Sequence, residues 1–151
     1  MFKKILICTD LSKYCDHVVS YGLNMAKEYD ARFWIYHGLG RLHLSEEETE
    51  QEIKKAEAHV VEAYGDKIKK SGFEKYTINV SDGDVVSEIT KLARNTKTDI
   101  ILMGPSAKEP TAVGEDVRVA PLGPVTTDTI LWAPCPVMVI PPALLPGLTR
   151  R

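Results

Sequence analysis

The sequence predicts an α/β domain built on an open parallel sheet. Two patterns point there: short continuous apolar runs, and helix-period segments that alternate with them along the chain. Size is the third observation. A chain of 151 residues suffices for one core, whereas two cores would each have too little chain to bury. A domain of this size buries roughly 70% of its unfolded surface, so it needs no disulfide or metal staple. Apolar residues make up 44% and charged residues 26%, a balance that excludes disordered and collagen-like chains.

The runs Ile5-Leu6-Ile7-Cys8, Phe33-Trp34-Ile35-Tyr36, Ile100-Ile101-Leu102-Met103 and Val137-Met138-Val139-Ile140 are rich in β-branched and aromatic residues. Such runs suit strands covered on both faces. Tyr76-Thr77-Ile78-Asn79-Val80 alternates apolar and polar residues instead, as a strand at a sheet edge would. Between the runs, Cys15, Val18, Val19, Gly22, Met25, Ala26 and Tyr29 follow a helical stripe. Ser12 is placed to cap that helix. Ser45 and Glu48 open the next helix as a capping box. Its stripe is Ile53, Ala56, Val60, Tyr64 and Ile68, with Glu50 four residues before Lys54 as a supporting pair on a solvated face. A third helix runs from about Val85 to Asn95, with Val86, Ile89, Leu92 and Ala93 inward. A short last helix starts after Gly123, with Pro124 at its first position, where a missing N–H does least harm. The order βαβαβαβαβ implies right-handed parallel crossovers. One long irregular stretch, Pro105 to Leu122, follows a strand end; loops of that length are usually functional or mobile.

Composition excludes several functions. The net charge of −2 offers no basic patch for nucleic acid or a membrane surface. The longest apolar run is too short to span a bilayer. The apolar stretch after Met1-Phe2-Lys3-Lys4 ends at Thr9-Asp10, too short for an export signal, so a cytoplasmic location is expected. Cys8, Cys15 and Cys135 form no C-x-x-C; three free thiols are expected, each most simply a small buried hydrophobe. Cys15 near a helix start would also favour a thiolate. His17, His37, His43 and His59 lack ligand spacing, so no metal site is expected. No Rossmann fingerprint, P-loop, nucleophile elbow or zinc-protease motif is present. A phosphoacceptor site of clustered acids is also missing, because Asp10 stands alone after the first run.

An open α/β sheet binds ligands beyond the carboxyl ends of its strands, where strand order reverses. Those ends carry Thr9-Asp10, His37-Gly38, Gly83-Asp84 and Met103-Gly104. Gly123, opening the last helix, would add backbone donors and a positive dipole end.

At these positions the chain resembles a known family. Lys3 to Ser12 (KKILICTDLS) is similar to the opening of universal stress proteins, typically I-L-V-P-x-D-x-S. Asp99 to Gly104 resembles their fourth strand, Ala133 to Ile140 (APCPVMVI) their closing strand, and Gly83-Asp84 with Glu88-Ile89 the start of their third helix. The resemblance implies a single-domain five-stranded sheet of order 3-2-1-4-5 with helices on both faces, spanning 1–151 with a core of about 1–141 and a tail of 142–151. It also implies a homodimer through Val137, Met138, Val139 and Ile140, which would cover an apolar edge otherwise prone to aggregation. Prolines at 141, 142 and 146 make the tail a poor cover.

One branch of the family binds ATP through G-x-x-G-x9-G-[ST]. Gly104 matches the first glycine, Ala107 replaces the second, Gly123 matches the third after a longer loop, and Pro124 replaces the hydroxyl residue. Ala107 adds a Cβ where backbone would approach phosphate. Pro124 has neither hydroxyl nor N–H. Each lost bond to a charged group costs about 1.5–3 kcal/mol. Gly38 stands where the family places an apolar residue against adenine. Thr126, Thr127, Ser106, Lys108 and Arg118 are possible substitutes; as ordinary structure, the threonines satisfy a helix end and the others are solvated. Asp10 either faces ribose or a metal, or organises a turn.

The candidate nucleotide site is therefore Thr9, Asp10, Gly38, Met103, Gly104, Ala107, Gly123, Pro124, Val125 and Thr126. The function implied is a cytoplasmic, dimeric, stress-response binding or regulatory module with at most weak adenine-nucleotide binding. No catalytic residue is assigned and no cofactor is required; ATP or AMP with magnesium is the implied ligand class. The alternative is an ATP-binding universal stress protein with slow hydrolase activity, resting on Asp10 and Asp84.

Overall fold

The computed structural model describes residues 1–105 and 122–141. Its elements are β1 (Lys4–Cys8), α1 (Lys13–Tyr29), β2 (Arg32–Gly38), α2 (Glu46–Ser71), β3 (Tyr76–Ser81), α3 (Val85–Thr96), β4 (Ile100–Met103), α4 (Pro124–Trp132) and β5 (Val137–Val139). The sheet is parallel throughout, in the order β3-β2-β1-β4-β5. Each continuous apolar run is a strand, and the alternating segment is the edge strand β3, half-buried along its whole length.

Strand parity divides the core in two. Ile5, Ile7, Phe33, Ile35, Ile100 and Leu102 face α1 and α2, meeting Val18, Val19, Leu23, Val60, Tyr64 and Ile68. Leu6, Cys8, Tyr36, Ile101 and Met103 face the other way, against Ile89 and Ala93 of α3. Helices thus lie on both faces, which is why β1 and β4 lack polar alternation. Burying each of these larger side chains contributes about 1.5–3 kcal/mol. Gly22 lets α1 settle on β1, because a Cβ there would overlap the Ile7 side chain.

Several local expectations are corrected. Ser12 is the N-terminal residue flanking α1, but its hydroxyl makes no cap bond. The Asp10 carboxylate instead accepts from the Ser12 amide at 2.9 Å; a charged acceptor two residues upstream organises this turn more strongly than a hydroxyl. At α2, Ser45 accepts from the Glu48 amide at 3.2 Å. The Glu48 carboxylate accepts from the Ser45 hydroxyl at 3.0 Å, not from the Ser45 amide, so only half of the capping box forms. The ion pair along α2 is Glu52 with Lys55 at 3.9 Å, not Glu50 with Lys54; the i,i+3 and i,i+4 spacings compete on an exposed face. Tyr29 is 44% exposed and packs edge-on against Phe2, because α1 has run past the sheet by its last turn. Ile53, in the second turn of α2, is half-buried.

Residues 106–121, with the candidates Ser106, Ala107, Lys108 and Arg118, lie outside the described residues, as does the tail 142–151.

Candidate functional site

Strand order reverses at β1, which pairs with β2 on one side and β4 on the other. The chain leaving β1 forms a tight knot. Thr9 is buried. Its Oγ1 accepts the Leu11 amide at 3.0 Å and shares a hydrogen bond with the Tyr64 hydroxyl. Leu11 has φ +67°, a left-handed conformation that a branched residue adopts only when its surroundings impose it. Here the two flanking side-chain bonds, Thr9 to Leu11 and Asp10 to Ser12, impose it.

His37 in β2 contacts the Thr9 carbonyl through Nδ1 at 2.9 Å, and the Thr9 amide donates to the Tyr36 carbonyl. His37 is therefore a fixed part of this knot, not a free surface residue. The Asp10 amide points at Cys15 Sγ, 3.5 Å away. Burial alone would raise the Asp10 pKa, but hydrogen bonds from the Cys15 thiol and from Ser12 outweigh it, and the net shift is downward from 3.8. Asp10 thus stays a carboxylate at neutral pH. Burial pushes Cys15 up to about 11 and raises Cys8 and Cys135 as well. That burial disfavours a Cys15 thiolate and outweighs the favourable helix end.

Across the reversal point, the chain leaving β4 is stitched to the start of α4. The Gly123 amide donates to the Pro105 carbonyl at 2.8 Å. Thr126, buried in the first turn of α4, donates its hydroxyl to the Gly104 carbonyl at 2.8 Å. Pro124 is the first residue of the helix and has no amide hydrogen. Two groups on which a phosphate would draw are therefore committed to protein carbonyls, and a third is missing. Val125 and Thr127 are exposed and Met103 is buried behind them.

The structure brings Thr9, Asp10, Met103 and Gly104 to one end of the two central strands, and joins Gly123, Pro124 and Thr126 to them. Gly38 is different. A Cβ there would lie 2.8 Å from the Tyr36 hydroxyl and 3.0 Å from Val85, so its free space is already taken by the α3 side. Among the described residues, the nearest neighbour of a Cβ at Gly104 would be Val18 at 3.9 Å. Asp84 caps α3, accepting the Ser87 amide and hydroxyl at 3.0 and 2.8 Å; those bonds hold its pKa below 3.8. Among the described residues, no cluster of three His, Cys, Asp or Glu side chains is placed to hold a metal.

Sequence reading missed the roles of Tyr64 and His37. Tyr64 was visible only as part of a buried stripe. Its hydroxyl meets Thr9, 55 residues away, and nothing local encodes that. Among the described residues, open depressions lie between α3 and α4, of about 310 Å³ near Ser87, Arg94 and Trp132, and beside Leu44, Glu50 and Asp82, of about 550 Å³.

The fold is that of known proteins. UspA from Lactobacillus plantarum matches with a TM-score of 0.72 at 19% identity, over 92% of this chain and 97% of that one. A universal stress protein in complex with cAMP matches at 0.67 with 18% identity, over 92% and 96%. The universal stress protein from Archaeoglobus fulgidus in complex with dAMP matches at 0.64 with 20% identity, over 92% and 98%. No curated protein matches. The model of the universal stress protein family covers residues 1–141, and it does so over the same strands and crossovers described above. This chain belongs to the universal stress protein family.

Proposed function

We propose that this protein is a dimeric, cytoplasmic stress-response module that regulates by binding, and that it takes adenine nucleotides at the β1–β4 reversal point with at most weak affinity. Relatives crystallised with cAMP and dAMP support the ligand class. The observation that carries the weak affinity is the commitment of the Gly123 amide and Thr126 hydroxyl to Pro105 and Gly104, beside a proline without an N–H. Among the described residues a triphosphate tail then finds few donors, so it adds little to what the nucleoside provides. The Asp10 carboxylate suits ribose hydroxyls, and it repels phosphate unless magnesium intervenes. Pairing of β5 across a two-fold axis would cover the apolar Val137–Val139 edge.

Calorimetry on the full chain tests this reading. AMP and Mg-ATP are expected to bind alike, each weaker than micromolar. Micromolar or tighter binding of Mg-ATP, with AMP far weaker, would overturn it. Slow hydrolysis draws support from the ionised Asp10 alone, because Asp84 is engaged at its helix cap. Turnover lost in Asp10→Ala, in protein free of contaminating ATPase, would favour that second reading.

A further inference from the structure

We infer that the β3 edge is a second self-pairing surface, where two copies join antiparallel about a two-fold axis at Asn79. This rests on β3 itself and holds whether or not β5 pairs. In the β2–β3 ladder, the Phe33 amide takes the Lys75 carbonyl and the Leu39 amide takes the Ser81 carbonyl. Parity then turns the N–H and C=O groups of Thr77, Asn79 and Ser81 inward to β2. Those of Tyr76, Ile78 and Val80 face out from the sheet. The Tyr76 amide is already bound to the Glu74 carbonyl. Ile78 and Val80 are left, with two donors and two acceptors.

An antiparallel register that opposes Ile78 to Val80 of the second copy uses all four. That register sets Asn79 opposite Asn79 and Thr77 opposite Ser81, with apolar residues paired on the α2 side and polar ones on the other. The central pair is of the non-hydrogen-bonded kind, with Cα atoms about 4.5 Å apart, so its side chains meet. Asn79 is half-buried, and its Oδ1, shielded within one copy, has no hydrogen-bond partner there until the carboxamide turns toward the axis. A second carboxamide across the axis supplies one. The alternative register, centred on Ile78, would need the occupied Tyr76 amide and would leave Asn79 without its twin. β3 also lacks the usual guards of an edge, since Tyr76–Ser81 contains no proline and no charge.

Sedimentation velocity and amide exchange on the full chain test this. Val139→Pro removes an outward N–H from β5 and leaves its pairing with β4 intact. That variant is expected to dimerise as concentration rises from micromolar to near-millimolar, with the Ile78 and Val80 amides gaining protection in step. Adding Ile78→Pro, which removes only an outward N–H, is expected to return it to monomer; adding Asn79→Lys should do the same by opposing two charges. A Val139→Pro protein that stays monomeric, with unprotected Ile78 and Val80 amides, overturns the inference, as does a dimer that survives Ile78→Pro. If a proline variant unfolds, amide protection in the unaltered chain decides: concentration-independent exchange at Ile78 and Val80 overturns the inference, and rising protection supports it.

Discussion

The two arms of the reversal point are built on opposite plans. The arm after β1 is held by side chains: Thr9, Asp10, Tyr64 and Cys15 bond to one another and to the turn, and they keep a carboxylate ionised. Where the chain leaves β4 and enters α4, the Pro105 and Gly104 carbonyls accept from the Gly123 amide and the Thr126 hydroxyl. The first arm retains a functional group while being rigid. At the two described ends of the second, donors that could face a ligand are bonded to protein carbonyls instead. Family membership thus fixes the scaffold, and the hydrogen-bond accounting of each loop determines what that scaffold can hold.

Removing the hub of the first arm should break the contrast most strongly. Thr9→Val leaves both the Tyr64 hydroxyl and the Leu11 amide without a partner, at about 2–4 kcal/mol of stability in urea unfolding. A loss no larger than that of an exposed substitution would mean the knot is decorative. Returning a donor to the second arm should sharpen the contrast. Pro124→Ser restores an amide and a hydroxyl at the start of α4, and Mg-ATP affinity is expected to rise about tenfold or more, at about 1.5–3 kcal/mol per bond to a charged group. Calorimetry showing equal gains for adenosine and ATP would place the effect away from phosphate.

The smallest effect concerns pH. Cys15 is raised from an ordinary value of 9.0 to about 11. The unfolded chain therefore releases this proton before the folded one does. The associated stability is complete below pH 9.0 and declines as pH rises toward about 11. The decline is on the order of 2 kcal/mol, and Cys15→Ala should flatten that alkaline limb. An identical limb in the variant would assign the loss to the other groups raised by burial, Cys8, Tyr36 and Tyr64.

The fold was largely legible because its signals are local. Continuous apolar runs mark strands covered twice, and the alternation at Tyr76–Val80 marked an edge before any neighbour was known. Pro124 announced the start of α4 because its lost N–H is harmless only there. The site was less legible. Nothing near Thr9 in the chain indicates Tyr64, and nothing near Gly123 indicates Pro105, since both contacts depend on distant segments meeting. Caps failed where two acceptors competed: Ser12 and Ser45 look alike in sequence, yet only Ser12 has an aspartate two residues upstream. The neighbours of Gly38, Tyr36 and Val85, were likewise invisible from its place in the sequence.

The central position of β1 has a kinetic consequence. Its bonds to β2 close a short crossover, but its bonds to β4 bring together residues such as Lys4 and Asp99, 95 apart in the chain. Closing so large a loop precedes any reward from the contacts it makes. The half-sheet of β1, β2 and β3 is thus expected to assemble early. The return of β4, clasped by Asp99 onto the amides of Lys3 and Lys4, then sets the pace of folding.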